Sequence, residues 1–360
     1  MKASGCRSGW GPWLVSPRFD LAIFLLPAVV ALGLVPVGRL FHGELPLPMW
    51  VVAVLAVDVA HVYATLFVTY LDPEARARHR AWLVAAPLVA FGAGLFAIAI
   101  STATFWTLLA YVAVFHFVRQ QYGWVALYQR KEPDLPAWER ALDRAAVYAA
   151  TLYPVLWWHA HLPRRYVWFV PGDFVAGLVP DGALTASGVM YGALLAGFGA
   201  VQVARLLRKR PVALGKTVVV ATTAACWGVG IIATNTDWAF TVTNVILHGV
   251  PYTVFVWRQS FGMRPAVKPS RGAPARSQPA LPLAGFALVL VGFAYAEELA
   301  WDRLVWHEAA ALFPLPAVVL PDAWGRVAVA LLAVPQFAHY ILDARIWRRT
   351  SSRSSGLSGG

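Results

Sequence analysis

Charge and cysteine are both scarce in this chain. Of its 360 residues only 18 are acidic and 2 are cysteine, and 13% are charged. So few charges cannot solvate the surface of a soluble protein of this length. Cys6 stands near the N-terminus and Cys226 inside an apolar segment, so they form no disulfide framework and no thiolate-rich metal or iron–sulfur site. No apolar run precedes Cys6, which argues against a lipoprotein or cleaved signal and predicts that the first apolar segment is retained. Also missing are a Walker A loop, a CxxCH haem attachment, the DDxxD motif of intramembrane prenyltransferases and the HxxxH plus HxxHH set of membrane desaturases. The net charge of +12 is not gathered into a basic run or an aromatic-interleaved stripe. Topology and anionic lipid headgroups account for it, and no nucleic-acid partner is expected.

Apolar residues, by contrast, are abundant: 59% of the chain is hydrophobic, spread along its whole length. A bilayer core takes about 20 apolar helical residues to cross, and the chain offers about ten such windows. They fall at 20–38, 47–71, 82–103, 104–129, 145–162, 183–206, 215–235, 238–257, 280–298 and 325–347. With both termini in the cytoplasm, 24 of the 30 Lys and Arg lie on the cytoplasmic side, as the positive-inside rule requires. Trp10, Trp82, Trp138, Trp158, Trp238, Trp301, Trp324 and Trp347 fall at span ends, where an aromatic belt is expected. The fold class is therefore an all-α, polytopic integral membrane helical bundle in a bacterial-type inner (plasma) membrane. Residues 1–348 make a single transmembrane domain with a flexible, basic, Pro-rich cytoplasmic loop at 261–279, and 349–360 a disordered tail. Membrane lipids are its surroundings.

Four histidines, His61, His116, His248 and His339, sit deep in spans 2, 4, 8 and 10. Imidazoles in hydrocarbon must be satisfied from within the protein and mark a site by default. Each has polar company at helical spacing. His61 has Asp58 and Thr65; His116 has Arg119 and Gln120; His248 has Asn244 and Tyr252; His339 has Gln336 and Asp343. One such histidine is more often an interhelical hydrogen-bond partner. Four, two of them beside carboxylates, point to a shared site.

The histidines and Asp343 are read as metal ligands. Asp58, Gln120, Asn244 and Gln336 are read as groups that orient them, since a ligating imidazole donates its other N–H to such a partner. Nitrogen and carboxylate donors suit a transition metal, iron first, with zinc, copper or manganese as alternatives. Arg119 pairs with Asp58 or Asp343, or clamps an anion or carbonyl of the substrate, and Tyr252 joins it as a candidate catalytic residue. The distance from each histidine to the next cytoplasmic basic residue is 15 residues for His61, 14 for His116, 10 for His248 and 6 for His339. This ruler leaves a split or two-metal site open. His159 and the Glu297–Glu298 pair are expected at solvated span ends.

Isolated histidines on separate membrane spans, here His61, His116, His248 and His339, resemble the pattern of the bacterial β-carotene dioxygenases of the Brp/Blh type. The resemblance implies a non-haem iron held by four histidines within the membrane and cleavage of an apolar polyene with dioxygen. It is one of pattern, not of an alignable stretch, and Asp58, Asp343 and Arg119 lie outside it. The leading expectation is an intramembrane metalloenzyme, an oxidoreductase or oxygenase acting on an apolar, lipid-soluble small molecule, with a redox partner as a further expectation. The alternatives are a proton- or ion-coupled transporter with a His/carboxylate relay and a bis-histidine haem protein for electron transfer.

Overall fold

The computed structural model describes residues 10–261 and 281–346, and every regular element among them is helical. Most of the expected loop 261–279, the tail 349–360 and Trp347 lie outside the described residues. In chain order the helices are α1 (Pro17–Phe41), α2 (Leu47–Val68), α3 (Pro73–Ile100), α4 (Thr102–Arg130), α5 (Ala137–Ala160), α6 (Gly182–Leu207), α7 (Leu214–Ala233), α8 (Asp237–Phe261), α9 (Leu283–Trp306) and α10 (Asp322–Arg345). All but α5 are long and apolar enough to cross a membrane. At 24 residues α5 is about 36 Å long, but its first two turns carry Glu139, Arg140, Asp143 and Arg144.

Local chemistry sets the breaks. Ser16 accepts from the Phe19 N–H and Pro17 opens α1, while Asp72 accepts from Glu74 and Ala75 ahead of Pro73 in α3. A single extended residue, Ser101, separates α3 from α4 and caps the latter through the Thr104 N–H. Three helices widen locally into π-turns, at Val51–Val59 in α2, Gly228–Ala233 in α7 and Asp302–Trp306 in α9. Such insertions shift which residues share a face and gather at functional positions.

The most enclosed helix is α8, which packs against α1, α2, α7 and α9. Around it α10 joins α2, α3 and α4, while α6 rests on α5 and is exposed along most of its length. Glycine permits two of the closest approaches to α8. A Cβ at Gly249 would stand 2.7 Å from Val57 Cγ1, and one at Gly230 would collide with Thr243 Oγ1. Small residues at such crossings let backbones meet, as in other membrane bundles. The aromatic belt is only partly realised. Trp10, Trp82, Trp138 and Trp324 are exposed, whereas Trp158, Trp238 and Trp301 are buried packing residues.

At one end of the bundle a buried ion cluster closes on itself. Lys216 lies 2.6 Å from both Glu132 and Asp143. Gln129 donates to Asp143 at 3.1 Å, and Arg140 donates to the carbonyls of Gln129 and Glu132. Lys216 meets both carboxylates and Arg140 is held by backbone carbonyls, which is how buried charges are tolerated.

Candidate metal centre

Four helices, α2, α4, α8 and α10, each bring one imidazole into a single buried cluster. His61 Nε2 is 3.0 Å from His248 Nε2, and His339 Nε2 is 3.1 Å from His116 Nε2. The pairs face each other: ring centroids lie 5.0 Å apart for His61 and His339 and 5.2 Å apart for His116 and His248. Ligand atoms of His61, His116 and His248 all lie within 4.8 Å of one another, as do those of His116, His339 and Asp343, and all five residues are buried. These groups are positioned to bind a metal ion.

The unequal depths read from the sequence do not separate the histidines. Arg345, the mark used for His339, lies with its guanidinium over the exposed Trp82 ring at 5.1 Å.

A hydrogen bond to a carbonyl fixes the tautomer of His61, and a hydroxyl network orients His339. His61 Nδ1 donates to the Asp58 carbonyl, which leaves its Nε2 lone pair facing the centre. His339 Nδ1 lies 2.6 Å from Thr65 Oγ1. Thr65 in turn lies 2.8 Å from the Tyr252 hydroxyl, which donates to Asp343 Oδ1 at 2.7 Å. Running the donors in order from His339 through Thr65 and Tyr252 ends the chain on the carboxylate, and His339 Nε2 keeps its lone pair toward the centre. Phe117 stacks on His248 at 3.5 Å and Tyr340 on His116 at 4.5 Å, so two rings are also held by their faces.

The donor set fits a metal. Two ligands bound at about 2.1 Å and at right angles are about 3.0 Å apart, the spacing of both Nε2 pairs. Two N–H···N bonds would close the same pairs without an ion. Asp343, whose carboxylate belongs to the same group as His116 and His339, adds the negative charge that a bound cation would balance. Axial ligands on opposite faces of a haem iron stand roughly 4 Å apart, twice a bond of about 2 Å, so neither close pair has haem spacing.

Several expected partnerships fall differently. Asp58 orients His61 through its backbone carbonyl, while its carboxylate stands 3.8 Å from His61 Nδ1. The cause is the π-turn, which contains Asp58 and displaces it from the face that α-helical spacing assigns. Gln336 donates to the Tyr340 hydroxyl, not to His339. Asn244 donates to the Phe240 carbonyl and to Thr243, and its free oxygen makes no bond to His248. Gln120 makes no hydrogen bond through either amide atom and lines a cavity instead. Arg119 pairs with neither Asp58 nor Asp343. It donates to the Tyr148 hydroxyl and lies 5.0 Å over the Tyr122 ring.

Tyr252, the i+4 neighbour of His248, donates to Asp343, a partnership that helical spacing did not indicate. Thr65 holds the network together and was visible only as a neighbour at i+4 from His61. Away from the centre, His159 is buried and bonded to Tyr111, not solvated. Glu297 is held between α2 and α9 by Tyr63 at 2.7 Å and Trp301 at 3.4 Å.

A cavity of about 350 Å³ opens beside the centre, with His116, Tyr252, Tyr340 and Asp343 at its inner end. No family model, curated protein or solved structure matches this chain. Its geometry alone carries the functional reading.

Proposed function

We propose that this protein is an intramembrane metal-dependent oxidoreductase, with iron as its metal, acting on a lipid-soluble substrate in a bacterial-type plasma membrane. The observation that carries the reading is the clustering of His61, His116, His248 and His339, from four separate helices, as two buried ligand triads that share His116, the second completed by Asp343. Imidazole and carboxylate donors without thiolate favour iron, manganese, copper or zinc, and of these iron joins common availability to oxygen chemistry. A bound redox metal would supply the electron transfer and dioxygen chemistry that side chains lack.

The protein's own residues do the rest. Thr65, Tyr252 and Asp343 orient His339, and the Asp58 carbonyl fixes the tautomer of His61. Burial keeps bulk water from reactive species. The cavity at His116 and Asp343 supports an enzyme over a transporter, because it offers a chamber on one side of the centre and the polar groups cluster at one depth instead of forming a relay. The four-histidine set is also what resemblance to the Brp/Blh-type dioxygenases implies, which supports dioxygen as co-substrate. The preference of Lys and Arg for one side supports the orientation.

The test is oxygen uptake by purified protein reconstituted with Fe(II), Mn(II), Cu(II) or Zn(II) and supplied with a total lipid extract of the host membrane. Uptake with Fe(II) that disappears in His339→Ala supports the reading. Tight metal binding without metal-dependent uptake overturns it.

A further inference from the structure

We infer that the cavity beside the metal centre binds a single-chain amphiphile with a carboxylate head, gripped by Arg119 and Gln120. The inference rests on the reading above for the role of the neighbouring centre, but not for the binding itself.

Three observations carry it. The first is an uncompensated cation. Arg119 lies in the interior of a membrane-spanning helix, yet among the described residues its recorded partners are two tyrosines and no carboxylate. Its side chain is exposed on the bundle at this level of the span, where a guanidinium facing hydrocarbon is costly unless an anion joins it, and its forked donors match a carboxylate. The second is an orphaned amide. Both Gln120 Nε2 and Gln120 Oε1 are buried without a partner and belong to the wall of the same cavity. Such a group is expensive unless a ligand satisfies it. The third is shape. The lining residues follow α4 from Phe115 to Arg130, a rise of about 22 Å, so a cavity of about 350 Å³ is long for its volume and suits an unbranched chain better than a fused ring system.

The polar pair sits one helical turn from His116, so a ligand held there presents the carbons next to its carboxylate to the metal centre. Gly123 leaves space on the α4 wall where a larger side chain would stand, and Trp124 lines the cavity as a built-in reporter. Tyr122 and Tyr148, stacked at 5.2 Å, brace the guanidinium without neutralising it.

Tryptophan quenching by bromohexadecanoic acid on the purified full-length protein tests this, with the bromo-alcohol of equal length and a brominated bile acid as comparators. The carboxylate should bind at least tenfold more tightly than the alcohol, and the bile acid should not compete. In Arg119→Gln the carboxylate preference should vanish while alcohol binding and metal content persist. In Gln120→Leu it should shrink several-fold, which keeps the inference testable where Arg119→Gln is not obtained folded. Equal binding of acid and alcohol, or an undiminished preference in both variants, overturns the inference. A His339→Ala protein that has lost its metal but retains the preference separates the two proposals: binding would stand and the metal reading would be judged on its own tests.

Discussion

Two buried polar clusters share this bundle, and they are built on opposite principles. Around Lys216 each carboxylate faces a cation or an amide: Glu132 and Asp143 at 2.6 Å, Gln129 on Asp143 at 3.1 Å. His61, His116, His248 and His339 are gathered with the carboxylate of Asp343, which accepts from the Tyr252 hydroxyl. The first cluster brings its own positive charge. The second presents lone pairs inward, with His339 oriented by Thr65 and the His61 tautomer fixed by the Asp58 carbonyl. The first cluster carries its own cation among its acids, whereas the second gathers imidazole nitrogens and a carboxylate, the donor set of a metal ion.

The comparison is broken most forcefully by removing the cation of the first cluster. Lys216→Met strands the buried Asp143 and the half-buried Glu132 and should lower the unfolding free energy by about 3–5 kcal/mol. Denaturation of chelator-treated protein in detergent would show it, and a loss below 1 kcal/mol would mean the cluster is not the closed ion group described. Metal should separate the clusters next. Saturating metal at 100 times its dissociation constant should stabilise wild type by about 2.7 kcal/mol. The same gain should persist in Lys216→Met and vanish in His61→Ala, as read by the shift in denaturation midpoint.

A finer contrast lies within the centre. Thr65→Val removes the acceptor of His339 Nδ1 and should weaken metal binding by about 10–100-fold, measured by competition with a chelating dye. Tyr252→Phe breaks the link to Asp343 one bond further out and should fall at the lower end of that range. Asp58→Asn should change affinity least, because the backbone carbonyl, not the carboxylate, orients His61. An effect larger than that of Thr65→Val would show that the carboxylate itself binds the ion.

How far the sequence reached follows from the range of each signal. Hydropathy and the side preference of Arg and Lys are sums over a whole segment, so they place the helices despite local irregularity. They mark α5 less firmly, because the charges it lends to the ion cluster dilute its apolar content. The four histidines were legible because imidazole in an apolar segment is costly wherever it lies, and Tyr252 and Asp343 because they sit one regular turn from a histidine. Partner choice was not legible. The π-turn over Val51–Val59 rotates Asp58 off its expected face and leaves no mark in composition. Gln336 and Asn244 found nearer partners in Tyr340, Phe240 and Thr243. Common depth was hidden too, since it depends on how α10 packs against α3 and not on the distance along α10 to a basic residue.

The central claim is that four imidazoles from four helices hold one metal ion. Elemental analysis of the detergent-purified protein, after incubation with Fe(II) and removal of free ions, tests it most directly when run beside His61→Ala/His339→Ala. The account predicts one metal per wild-type chain and none in the double variant. A wild-type protein that retains no metal, or a double variant that retains a full equivalent, would contradict it.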